Sequence, residues 1–145
     1  MAPLMGWREW VGLPGFGVEA VKAKVDTGAA SSSLHAFKLE RFSADDVPMV
    51  RFEIHPRQRS TAARITVEAE VIDERAVRNP GGHREVRPVI EAVLAWSDVR
   101  WTTEINLTRR DEMGFRMLLG RRALRSRFLV DPGRSYLGGR PGSSG

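Results

Sequence analysis

Residues 22–37, KAKVDTGAASSSLHAF, decide how the rest of the chain is read. Val21, Ala23 and Val25 alternate with Lys22 and Lys24, the two-residue period of a strand with one apolar face. The strand delivers Asp26 at its end, and Thr27, Gly28 and Ala29 supply small residues where the chain must turn. A carboxylate at such a junction is either a turn former or half of a catalytic pair. At average residue usage three fixed residues arise by chance in roughly one chain in thirty of this length, so Asp-Thr-Gly decides nothing alone.

The 145 residues, 41% hydrophobic and 28% charged, suffice for one ordinary domain with its own core. The expected boundaries are residues 1–138 for that domain and 139–145 for a flexible Gly-rich tail. No cysteine is present, which excludes disulfides, a thiolate metal site and a cysteine nucleophile. The start, MAPLMGWREW, lacks a basic segment followed by an apolar run, and no apolar stretch of about 18 residues occurs. A soluble, cytoplasmic protein without membrane contact is expected.

The net charge is +5 and the pI about 10.6. The cations are skewed, with 20 Arg against 3 Lys, while the acidic residues are interspersed rather than segregated. A solvated Arg-rich surface and a site for an acidic ligand both fit this pattern.

Short alternating runs broken by turn residues point to a mainly β domain. Val11–Leu13 and Val18–Val25 flank PGFG and read as a hairpin. MVRFEI and ITVEAEVI read as half-buried strands joined by the polar RQRSTAA. REVRPVIEAVLAW and RWTTEINL read as a pair turning at Ser97-Asp98, with Pro88 at an edge or strand end. VRNPGGHRE carries a strong turn signal, either a plain surface turn or the tip of a hairpin. Near the C-terminus, Met117, Leu118 and Leu119 read as a buried strand, Gly120 as a close turn, and the residues after it as one or two helical turns. FLVDPG then reads as a strand stopped by Asp-Pro-Gly, with SYL as a last edge strand.

The strand-Asp-Thr-Gly element and the downstream LLGR together resemble the signature pair of retroviral-type aspartic proteases, from about Val18 to Leu124. GWREWVGLP, KAKVDTGA, GGHRE, MGFRMLLGR and FLVDPGRSYL extend the likeness over nearly the whole chain. These blocks resemble the RimB-like (DUF785) retropepsin-like family of bacteria and archaea, formerly labelled ATP-dependent zinc proteases. The resemblance implies a retropepsin-like closed β-barrel protomer with one short C-terminal helix and a flap hairpin. It also implies an aspartic endopeptidase.

The chemistry explains why such residues are wanted. Hydrolysis of a peptide bond without a metal or covalent intermediate needs one carboxylate to take a proton from water and a second carboxylic acid to polarise the carbonyl. Two Asp side chains about 3 Å apart cannot both ionise, so they share a proton. With one Asp-Thr-Gly in the chain, the enzyme reading requires a homodimer with Asp26 as the catalytic residue of each copy. In the resembled fold Thr27 ties the two loops together, Gly28 permits close backbone approach, and Ala29 lines the floor. Leu118, Leu119 and Gly120 support the loop from behind. The Gly-rich segment becomes a flap, with Pro80, Gly81, Gly82 and His83 at its tip.

Members of the resembled family often accompany ATP-grasp ligases that add glutamates to proteins. The implied substrates are peptides or protein tails, acidic or glutamate-extended, with Arg84, Arg87, Arg116, Arg121 and Arg122 as candidates to pair with carboxylates. The alternative is a non-catalytic peptide-binding module for acidic peptides. His35, His55 and His83 show no metal-ligand spacing, and no phosphate-binding Gly-x-x-x-x-Gly-Lys loop occurs. No metal or cofactor is therefore expected. Ser31, Ser32 and Ser33 lack a nucleophile elbow, and RMLLGRRALRSR lacks the aromatic interleaving of a nucleic-acid site. Compared with compact viral retropepsins, residues 36–49 are an extra segment.

Overall fold

A computed structural model of the protein describes residues 2–56, 64–79, 81–110 and 114–140. The 57–63 connector, Pro80 and residues 141–145 of the expected tail lie outside these. Eleven strands and one short helix follow in order: β1 (Leu4–Leu13), β2 (Val18–Val25), β3 (Ser32–His35), β4 (Phe37–Ala44), β5 (Val47–Ile54), β6 (Ile65–Glu70), β7 (Asp73–Arg78), β8 (Arg84–Trp96), β9 (Val99–Thr108), β10 (Met117–Leu119), α1 (Arg121–Leu124) and β11 (Leu129–Ser135).

Eight strands form one sheet in the order β11-β1-β2-β10-β3-β9-β8-β7, and a β1–β8 pairing bends it into a near-barrel ring. Closure occurs where Gly12 faces Ala95. The closure leaves β11 and β7 as the outer strands of this sheet. The inner face is apolar because strand alternation puts Val21, Ala23 and Val25 of β2, Met117 and Leu119 of β10, Leu34 of β3, and Ile105 and Leu107 of β9 into one buried cluster. Each large aliphatic side chain buried there contributes about 1.5–3 kcal/mol. Trp96 and Trp101 pack edge-on against Phe128, with ring centroids 5.4 and 4.8 Å apart.

The second sheet, β4-β5-β6, is antiparallel, and the extra segment 36–49 supplies β4 and the start of β5. Its β4–β5 turn consists of Asp45 and Asp46, both with positive φ, the geometry of a tight hairpin turn. This sheet braces the β7–β8 hairpin through the Arg41–Glu74 ion pair. The Val71 N–H also donates to the Pro48 carbonyl at 2.9 Å.

Three local expectations change. β11 does not stop at Asp-Pro-Gly but runs through it to Ser135. Asp131 pairs with Gly6 and Ser135 with Arg8, so residues 132–134 bulge out of register. Pro132 is tolerated because β11 is an edge strand, and Gly6 makes room because a Cβ there would strike the Arg134 carbonyl. Tyr136 and Leu137 lie beyond the strand rather than forming one. Pro88, for its part, sits inside the continuous strand β8. The β8–β9 ladder begins one residue later, at Val89, so on that side no partner strand needs the missing N–H.

Candidate active site

The ring places β10 between the strand that enters the Asp26 loop and the strand that leaves it. β10 pairs parallel with β2, Leu119 facing Val25, and antiparallel with β3, Leu118 facing Ser33. Where β2 ends, the Asp26 N–H donates to the Leu119 carbonyl at 2.8 Å. The loop then folds on itself, with the Gly28 N–H donating to Asp26 Oδ1 at 2.9 Å and the Ala29 N–H to the Asp26 carbonyl at 3.2 Å. The carboxylate is thus oriented by its own loop and remains 31% exposed. A partly exposed, positioned carboxylate is available to react.

Gly120 is the tightest point behind the loop. A Cβ there would strike the Ser31 carbonyl and come 2.9 Å from the Ala29 oxygen, and these are backbone atoms that cannot swing aside. Its N–H donates to Ser32 Oγ at 3.0 Å. Arg121 N–H donates to the Ala29 carbonyl at 2.8 Å, and the Arg121 guanidinium donates to the Thr27 carbonyl at 3.0 Å. Leu118, Leu119 and Gly120 therefore stand directly behind the Asp26 loop, and α1 caps it.

An open cleft of about 360 Å³ lies beside the loop, lined by Ala29, Ala30, Ser31, Ser33 and Leu118 on one side and by Arg75, Ala76, Val77 and Arg78 of β7 on the other, with Arg87 and Arg122. Asp26 is not among the lining residues; it stands three positions before Ala29. Four arginines and no acidic residue line this cleft. Arg87 forms its polar floor, being 1% exposed and donating to Ser33 Oγ at 3.2 Å, Asn106 Oδ1 at 3.0 Å and Glu85 Oε2 at 3.2 Å. Arg75 is held in ion pairs with Asp73 and Glu104, both at 3.0 Å, and the hydrogen bond it donates to Glu104 raises its already high pKa.

A retropepsin-like ring, an Asp-Thr-Gly loop at a strand end and a Leu-Leu-Gly strand locked behind it occur together here. Residues 4–141 match the family model described as the retropepsin-like aspartic endopeptidase RimB. The chain belongs to the RimB-like family. Its RimB-like region is 47% identical over 133 residues to a "Probable alpha-L-glutamate ligase" of Parasynechococcus marenigrum, covering 92% of this chain and 28% of that protein. A protein of the same name from Shewanella pealeana is 42% identical over 139 residues, covering 96% of this chain and 30% of that one. The chain thus spans less than a third of the length of these curated relatives. A crystal structure of a DUF785 protein of unknown function from Legionella pneumophila superposes with a TM-score of 0.78 at 27% identity, covering 95% of this chain and 99% of that one.

The RimB-like site sorts the arginine candidates. Arg87 and Arg122 line the cleft, whereas Arg121 is committed to the Thr27 carbonyl. Arg84 is exposed on the β7–β8 hairpin opposite Arg78. Arg116 is not brought to the cleft: it is 7% exposed, donates to the His55 carbonyl at 2.9 Å and to His35 Nδ1 at 3.2 Å, and sits over the Phe37 ring. Arg75 and Arg78 were not among the candidates. Their signal is the pairing of DERAVR opposite REVRP, which becomes visible only once β7 is placed across the cleft from Ala29, Ala30, Ser31 and Ser33.

At the hairpin tip, the Asn79 side-chain oxygen accepts from the Gly81 and His83 N–H groups at 3.0 and 3.2 Å, and Gly82 takes a φ of +84°. Asn79, Gly81, Gly82 and His83 are therefore held in a hydrogen-bonded turn at the end of the β7–β8 hairpin. His35 and His55, distant in sequence, meet on the Phe37 ring, His55 stacking at 3.7 Å between centroids. Among the described residues no group of three His, Asp or Glu side chains stands together as metal ligands. No helix of the described residues is long and apolar enough to cross a membrane.

Proposed function

We propose that two copies of this chain bring their Asp26 carboxylates together and hydrolyse peptide bonds with a water held between them. The observation that carries the reading is the placement of Asp26: a strand end, a loop that hydrogen-bonds its own carboxylate, and a Leu-Leu-Gly strand locked behind it. One carboxylate takes a proton from the water while the partner copy's protonated Asp26 polarises the scissile carbonyl, and the shared proton follows from the proximity of two like charges. Thr27, Gly28 and Ala29 form the floor. The β7–β8 hairpin, with Gly81, Gly82 and His83 at its tip, closes over the substrate and excludes water.

The substrate class in this reading is an acidic or glutamate-extended peptide tail. The arginine-lined cleft beside the loop supports it, because guanidinium groups bind carboxylates in a bidentate fork. The long relatives named as glutamate ligases support it further and suggest a functional link to an ATP-grasp glutamate ligase in the cytoplasm.

The test is mass-spectrometric cleavage of a peptide library that includes glutamate-extended tails, with wild type and Asp26→Asn, from acid to neutral pH. Chelator-insensitive cleavage by wild type, reduced at least about 10²–10⁴-fold in the variant, is expected, with acidic peptides preferred. Retention of acidic peptides by both proteins with no cleavage at any pH would point instead to a peptide-binding module. Cleavage that survives in Asp26→Asn would remove Asp26 from the site.

A further inference from the structure

Asn106 ties together three residues that line the cleft, Ser31, Ser33 and Arg87. It sits on β9, is 1% exposed, and pairs in register with Ser33 of β3 and Val89 of β8. Its Oδ1 accepts from Arg87 at 3.0 Å and from the Ser33 hydroxyl at 2.9 Å. A guanidinium has no acceptor to offer, so the amide atom that faces Arg87 is the oxygen, and the Nδ2 group must face the other way. There it donates to Ser31 Oγ at 3.3 Å. Ser31 thus accepts a hydrogen bond from the protein, while its own hydroxyl proton finds no acceptor among the described residues. Ser31 is half-buried and lines the cleft, so that proton is available to a ligand.

The cations of the cleft divide into committed and available groups. Arg75 is paired with Asp73 and Glu104, and Arg87 with Glu85. Arg78 and Arg122 form no ion pair with a described residue. The nearby Ala29 and Ala30 carbonyls are already engaged by the Arg121 and Arg122 N–H groups, at 2.8 and 3.2 Å. The cleft therefore turns donors toward a ligand. A carboxylate meets them with two acceptor oxygens, whereas a carboxamide has one and sets its NH2 group against a guanidinium. We infer that Asn106 is a positioning residue for substrate choice: by donating to Ser31 it turns the Ser31 hydroxyl proton into the cleft, where Ser31, Arg78 and Arg122 select a glutamate side chain over glutamine. The inference rests on the proposed acidic substrate and names the residues that recognise it.

The experiment measures binding of two fluorescein-labelled peptides, tetraglutamate and tetraglutamine, by fluorescence polarisation at about 0.15 M salt, which screens long-range attraction. All proteins carry Asp26→Asn so that nothing is cut. Ser31→Ala is expected to weaken tetraglutamate binding about tenfold, the worth of one hydrogen bond to a charged group, and to change tetraglutamine binding by less than about twofold. Ser31→Thr keeps a hydroxyl and keeps the preference. Asn106→Asp preserves the shape and the Arg87 contact but takes the Ser31 proton instead of supplying one. Its added charge also weakens acidic peptides, so it is measured both with Ser31 and together with Ser31→Ala. The loss of tetraglutamate preference is expected to be about tenfold larger when the Ser31 hydroxyl is present. Circular dichroism verifies folding, and Asn106→Ser, too short to reach Ser31, serves if the Asp variant does not fold.

A preference unchanged in Ser31→Ala overturns the inference, as does an Asn106→Asp effect that is equal with and without the Ser31 hydroxyl. So does a protein carrying Asp26→Asn alone that binds both peptides equally or neither. A merely structural role for Asn106 would weaken both peptides together. The peptidase reading fails separately. If matched glutamate and glutamine substrates keep the same ratio of kcat/KM in Ser31→Ala as in wild type, while Asp26→Asn removes cleavage, the dyad stands and the inference falls. Glutamate-selective binding that depends on the Ser31 hydroxyl, with no cleavage at any pH, does the reverse.

Discussion

Glu9 is wholly buried, yet its carboxylate meets four N–H donors. Oε2 accepts from Gly6 at 2.7 Å and Leu137 at 2.9 Å, and Oε1 accepts from the Trp96 indole at 2.9 Å and Gly138 at 3.1 Å. One side chain thereby ties β1 to the end of β8 and to the segment after β11. Glu9→Ala leaves those donors dry and unpaired, and we expect a loss of about 3 kcal/mol, measured as a shift of the urea midpoint at unchanged m-value. A smaller loss, below about 1 kcal/mol, would mean that water replaces the carboxylate. Glu9 could not be singled out from sequence, because its partners are distant in the chain and a charged residue between two tryptophans looks like an exposed position. Arg116 misled for the same reason: a guanidinium buried against His35, Phe37 and His55 carries the same local signature as one facing solvent. Asp26, Thr27, Gly28 and Gly120 were legible because their constraints are local, a turn after a strand and a close backbone contact.

Among the elements, the long alternating strands β2, β5, β8 and β9 were readable from their two-residue period. β4 was not, since its exposure alternates weakly and its Asp45-Asp46 turn lacks the glycine that usually marks a hairpin. β4 nevertheless matters to the site, because its Arg41 pairs with Glu74 of β7, the strand that walls the cleft opposite Ala29, Ala30, Ser31 and Ser33. Within the same sheet, Glu53 on β5 has its carboxyl held below its ordinary pKa, first by the hydrogen bond from His55 and then by the nearby Lys38 and Arg64 charges, against the opposing cost of desolvation. A lowered folded value means that this contribution is complete above the unfolded value and is lost as pH falls through the folded one. Glu53→Gln should therefore be less stable than wild type at neutral pH and converge with it in acid, as parallel urea melts would reveal; a constant gap at all pH would contradict the assignment. At the other end of the hairpin, Asn79 holds the tip by accepting from Gly81 and His83. Asn79→Ala is expected to lower kcat/KM about tenfold with little change in melting temperature, and to speed hydrogen exchange at residues 77–85. Unchanged exchange with lost activity would assign Asn79 to substrate contact instead.

For the whole molecule, one copy carries one Asp-Thr-Gly loop, and the chemistry proposed for it needs two. The net charge of +5 opposes association at long range, though salt screens that repulsion beyond roughly 10 Å, and the interface must place two like-charged carboxylates side by side. Each Lys24 Nζ, 3.9 Å from its own Asp26 Oδ2, offsets part of that local repulsion. A mixing experiment tests the two-copy requirement without knowledge of the interface. Wild type and Asp26→Asn are combined at fixed total concentration and allowed to exchange subunits. If each active site needs an intact Asp26 from both copies, an equal mixture retains about one quarter of the activity of pure wild type, because random pairing makes only that share of dimers wholly wild type. If each chain works alone, about one half remains. Dilution should also lower the specific activity of wild type as dimers dissociate, and a flat response down to nanomolar protein together with the one-half result would place the complete catalytic apparatus within a single chain.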